Sequence, residues 1–70
     1  MNKWEHPAEN TWTLKVDDCV AVVWMTSSEK EISFFWDIFK GNTHPAFGSG
    51  QDLGSAQYLA ERELRNVLAK

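Results

Sequence analysis

Few side chains in this sequence have the chemistry to hold a metal or attack a substrate: Cys19, His6, His44 and the adjacent acids Asp17 and Asp18. A zinc site draws three or four ligands from closely spaced pairs. His6, Cys19 and His44 are scattered along the chain instead, so no metal and no cofactor is expected. Nucleophilic catalysis needs a thiol or hydroxyl beside an oriented base. Cys19 opens the apolar run Cys19–Met25, where a small buried side chain is the expected role of a cysteine. Asp17 and Asp18 suit a tight, solvated turn. The run Gly48, Ser49, Gly50, Gln51, Asp52, Leu53, Gly54 resembles an anion-binding entry to a helix. Its spacing is G-x-G-x-x-x-G and no Lys-Ser/Thr pair closes it, so a loop that needs glycine backbone angles is expected there. No catalytic constellation emerges, and the chain reads as a non-enzyme.

The elements that carry these residues follow from periodicity. Trp12, Leu14 and Val16 alternate with Thr11, Thr13 and Lys15, the pattern of a half-buried strand. Residues Cys19–Thr26 are apolar on both parities and predict a central strand covered on both faces. Polar residues Ser27–Lys30 read as a turn, and Glu31–Phe39 as a third strand with Ile32, Phe34, Trp36 and Ile38 on one face. Phe35 and Phe39 share the other face, interrupted by Asp37. A carboxylate there is expected to reach a cation such as Lys15 or to lie at an exposed edge. Residues 41–50 hold three of the four glycines and Pro45, which predicts a loop in which His44 packs.

Beyond the loop the period changes to 3.6. Leu53, Ala56, Ala60, Leu64 and Val67 form one stripe, so residues 52–69 predict an amphipathic helix. Asp52 is its N-cap candidate, with Ser49 at capping-box spacing as the alternative, and Glu61 and Arg65 are spaced to pair. The predicted fold is α+β: a three-stranded antiparallel meander followed by a C-terminal helix packed on one face, in the order β-β-β-α. Residues 1–10 form a polar lead-in and residues 11–70 the single domain.

Seventy residues leave room for one domain. A chain of this size buries only about 60% of its unfolded surface, and its core seldom supplies more than about 3–5 kcal/mol. One cysteine excludes an intramolecular disulfide as a staple. Seven basic and ten acidic residues give a net charge of −3, which supplies no attraction to phosphate backbones. Nucleic acid is therefore an unfavoured partner. The run Cys19–Met25 is far short of the ~20 residues of a membrane helix, and residues 1–9 lack an apolar signal core. No membrane association is expected, and a lone thiol fits the reducing cytoplasm.

The stretch AFGSGQDLGSAQYLAERELRNVL resembles the end of a double-stranded RNA-binding domain, where a three-stranded meander leads through a glycine-bearing loop into a helix. The resemblance covers residues 31–68. That family grips phosphates with paired lysines at the helix start, where this chain has Asp52, Leu53, Gly54, Ser55, Ala56 and Gln57, so no binding residue carries over. The β-β-β-α order is also similar to the arm-type DNA-binding domains of phage integrases, which read DNA with the sheet. Lys15, Lys30 and Lys40 here stand among Asp17, Asp18, Glu29, Glu31 and Asp37, a balance that repels phosphate.

Four tryptophans and four phenylalanines accompany a single helix. One helix covers one face of a sheet, so the second apolar face needs another cover. Either Trp4 and the 41–50 loop, through His44, Pro45 and Phe47, fold over it, or its aromatic residues form a protein interface. Size, acidity and the absence of catalytic residues make the chain similar to small accessory and inhibitor proteins of phages and mobile elements, the anti-CRISPR type among them. That resemblance implies an inhibitor that binds a host nuclease or nucleic-acid-binding complex. The alternative is a nucleic-acid-binding accessory domain using the sheet or the glycine-rich loop. The expected interaction residues are Trp4, Trp12, Trp24, Phe35 and Phe39, with the acids Asp17, Asp18, Glu29 and Glu31. A homodimer is a further expected association, with Phe35 and Phe39 shared if Ile32, Phe34, Trp36 and Ile38 face the helix.

Overall fold

The computed structural model of the chain describes residues 4–69. Five strands, β1 (Glu5–Ala8), β2 (Thr11–Val16), β3 (Cys19–Ser27), β4 (Ile32–Lys40) and β5 (Thr43–Gly50), precede one helix, α1 (Leu53–Leu68). The strands form one antiparallel sheet in sequence order, β1-β2-β3-β4-β5. The three-stranded meander expected from the sequence is thus corrected to five strands, with the C-terminal helix retained.

Each added strand has a physical reason for escaping notice. β5 turns small residues toward the helix: Ala46, Gly48 and Gly50 pair with Ile38, Trp36 and Phe34. A Cβ on Gly48 would lie 2.5 Å from Cζ2 of Trp36, and one on Gly50 would lie 2.7 Å from the backbone nitrogen of Ala56. The glycines make room for an indole and for a helix, where the sequence suggested a loop that needs glycine backbone angles. β1 is four residues long and contains Pro7, which has no N–H to donate; such a strand is tolerated at the sheet edge, where β1 lies beside β2.

Tight hairpins join the strands. The residue pairs Glu9–Asn10, Asp17–Asp18 and Gly41–Asn42 close three of them, with Asp17 at φ 55 and Gly41 at φ 57 in the left-handed region that such turns use. Between β3 and β4 the Ser28 N–H donates to the Glu31 carbonyl at 2.8 Å.

The helix starts at the expected cap. Asp52 is extended (φ −150, ψ 177) and its side chain accepts from the Ser55 N–H at 2.7 Å. Ser49, the alternative cap, lies within β5. The Glu61–Arg65 pair does not close; the helical ion pair among the described residues is Arg62–Glu63, at 3.9 Å. Ala56, Ala60 and Leu64 are the buried stripe. They pack on β3, β4 and β5 over Leu14, Cys19, Ala21, Val23, Trp36 and Ile38, so the core lies wholly on one side of the sheet. Trp4 and Trp12 pack at the margin of this core.

Two outcomes follow from this packing. Ala60 has no exposed surface, so Ala60→Leu overfills the helix–sheet contact and should cost about 1–3 kcal/mol in a denaturant titration. At the cap, the hydrogen bond from the Ser55 backbone holds the Asp52 carboxyl below its ordinary pKa. A carboxyl depressed by folding contributes stability above its unfolded pKa of about 3.9, and that contribution is lost as pH falls through the folded value. Asp52→Ala should lower the melting temperature at pH 7 and narrow its gap to the parent in acid, as measured by circular dichroism.

Candidate interaction surface

Among the described residues no helix lies over the other face of the sheet. Register places Thr13, Lys15, Val20, Val22, Trp24, Phe35, Asp37, Phe39 and Phe47 on that side, because cross-strand partners share a face and alternate residues change it. Segment 41–50, expected as a loop that covers this face, instead extends the sheet as β5 and adds Phe47 to it. Trp24, Phe39 and Phe47 remain 36%, 39% and 74% exposed. Trp24 stacks on its cross-strand partner Phe35, with ring centroids 4.8 Å apart.

Asp37 stands in the middle of this face, between Val22 on β3 and Phe47 on β5. Its Oδ2 accepts from Trp24 Nε1 at 2.8 Å, and its Oδ1 contacts His44 Nε2 at 2.9 Å. A carboxylate oxygen only accepts, so Nε2 carries the hydrogen in the His44 bond. The sequence suggested Lys15 or an exposed edge for Asp37; it instead bridges an indole and an imidazole on β4, one strand in from the edge.

A bulge brings His44 there. Ile38 pairs with Ala46 and Lys40 with Thr43, so His44 and Pro45 both stand opposite Phe39. An extra residue of this kind re-aims a side chain. The His44 ring stacks on Phe39 at 4.6 Å and lies 5.7 Å from Phe47. Contacts thus link Phe35 to Trp24, Trp24 to Asp37, Asp37 to His44, and His44 to both Phe39 and Phe47.

The expected site residues divide. Trp24, Phe35 and Phe39 come together on the open face. Trp12 points to the helix side, where His6 stacks on it at 4.6 Å, and Trp4 packs against the same core. Asp17 and Asp18 occupy the β2–β3 turn, whereas Glu29 and Glu31 lie in the β3–β4 connection at the opposite end of β3, so the four acids form two separate patches. The sequence reading placed His44 and Phe47 in a loop over this face and did not count them among the interaction residues. The available signal was Asp37 itself, a carboxylate between two phenylalanines that needed donors.

The Asp37–His44 pair resembles the orienting half of a hydrolytic triad, but among the described residues no hydroxyl or thiol bonds to His44. Cys19 is fully buried on the helix side, and burial and the neighbouring Asp18 raise its pKa, which suppresses the thiolate. Among the described residues no three His, Cys, Asp or Glu side chains converge in a way that could hold a metal, and no helix is long and apolar enough to cross a membrane. The arrangement is suited to contact: an open aromatic face with one carboxylate held among its rings by two hydrogen bonds. Compared with family models, curated proteins and solved structures, the chain gives no match, so its function is read from this face.

Proposed function

We propose that this chain is a small non-enzymatic interaction protein that binds a protein partner through the open aromatic face. The observation that carries the reading is the cluster of Trp24, Phe35, Phe39 and Phe47 on a sheet side that no element of the described residues covers. Aromatic residues are enriched in protein interfaces and supply most of their binding energy, and a contiguous exposed apolar patch marks such a site. The acidic charge and small size suit an inhibitor of the anti-CRISPR type, acting in the cytoplasm on a host nuclease or nucleic-acid-binding complex.

Phe47→Thr separates binding from folding. Phe47 is 74% exposed on an edge strand, and threonine keeps the strand propensity, so stability should stay within about 0.5 kcal/mol of the parent. A host protein retained by the parent should be lost from this variant in a matched pull-down. Retention of the same proteins by both would contradict the reading. So would binding of a short duplex that vanishes between about 50 and 200 mM salt, the mark of phosphate contacts.

A further inference from the structure

We propose that the open face receives an arginine side chain of the protein partner, its guanidinium bonded to Asp37 and set against the flanking rings. The inference rests on the protein-binding reading above and names the chemistry that the partner brings.

The carboxylate is prepared for a further donor. Its two oxygens offer about four acceptor positions, of which Trp24 Nε1 and His44 Nε2 occupy one on each oxygen. The two bonds fix the carboxylate plane and leave acceptor capacity on both oxygens. The side chain keeps 22% of its surface in a position bordered by Val22, Phe35, Phe39 and Phe47. An anion in apolar surroundings calls for a compensating cation, and the pairing observed for Asp37 is with His44. Among the described strand residues, the lysine on the same face, Lys15, lies two strands away on β2.

The choice of arginine follows from shape. A guanidinium is a planar fork that can serve both carboxylate oxygens, sheds water more readily than an ammonium, and stacks on aromatic rings. Trp24, Phe39 and Phe47 offer exposed rings around Asp37, where a cation over a ring face gains further attraction. An anionic ligand fits the same place poorly, because Asp37 is central and the chain carries a net charge of −3.

The test follows the indole Nε1–H of Trp24 and the β4 and β5 amides by ¹⁵N–¹H NMR of the full chain. The probes are blocked Gly-Arg-Gly, Gly-Lys-Gly, Gly-citrulline-Gly and Gly-Leu-Gly peptides and a ten-residue oligothymidine. The arginine peptide should move these resonances saturably. Citrulline, which keeps the shape and loses the charge, should bind roughly tenfold more weakly or worse, as should the arginine peptide to Asp37→Asn. The citrulline comparison uses the parent protein, so it stands even if Asp37→Asn fails to fold. Equal responses to arginine and citrulline, or none to arginine, would overturn the inference. An equal response to the leucine peptide would overturn it while leaving the open face a protein-binding surface. A response to oligothymidine alone would overturn both readings.

Discussion

Gly50→Ala should remove most of the stability of this fold. The added methyl would stand 2.7 Å from the nitrogen and 2.8 Å from the Cα of Ala56, in the first turn of α1. Backbone cannot rotate aside as a side chain can, so either the helix lifts from the sheet or the end of β5 peels from β4. Gly50 is separated from the helix only by Gln51 and Asp52, which leaves little chain to absorb the shift. Overpacking of a core costs about 1–3 kcal/mol and occasionally more, and a backbone obstacle at Ala56 places this site near the upper end, at about 3 kcal/mol. A domain of this size has only about 5 kcal/mol to lose. Chemical denaturation should show the midpoint collapsing, whereas Gly54→Ala, whose Cβ would meet nothing closer than 3.6 Å, should be neutral or stabilising.

The second large effect couples two residues. Gly48 lies under the Trp36 indole, which is only 7% exposed, and a Cβ there would come within 2.5, 2.7 and 2.9 Å of three ring atoms. Gly48→Ala should therefore cost about 1–3 kcal/mol. Trp36→Leu alone leaves a cavity and should cost a similar or larger amount, about 2–4 kcal/mol. In the double variant the new methyl occupies space that the indole vacated. The combined loss should fall short of the sum of the single losses by at least about 1 kcal/mol in a double-mutant cycle. Additive losses would show that the indole does not rest on Gly48.

These two glycines also explain which parts of the fold were legible in the sequence. β3 announced itself because Val20, Val22 and Trp24 are as apolar as Cys19, Ala21 and Val23, and α1 because Ala56, Ala60 and Leu64 recur at helical spacing with Asp52 before them. β5 did not, because its inward side is Ala46, Gly48 and Gly50, a pattern defined by the bulk of Trp36 and the nearness of Ala56. Small residues imposed by a neighbour and small residues in a flexible loop look alike in one dimension. β1 was hidden by its brevity and by Pro7.

The candidate site was half visible for the same reason. Asp37 stood out by breaking an apolar face, yet its donors depend on pairing: Trp24 is 13 residues away on the neighbouring strand, and His44 arrives through a bulge in β5. The aromatic residues were identifiable as a group, but their division between core and open face required the register. Trp12 and Trp24, similar in sequence setting, end on opposite sides of the sheet.

The claim on which the functional account depends is that the face carrying Trp24, Asp37 and Phe47 is bare in the folded protein. Paramagnetic relaxation by an inert gadolinium chelate measures this directly in a dilute NMR sample. Ring protons of Phe39 and Phe47 should be strongly attenuated, while the methyls of Ile38 and Leu64, which are 0% and 1% exposed, should be unaffected. Protection of the Phe39 and Phe47 rings to the level of the Ile38 methyls would contradict the account, since it would mean that the face is already covered.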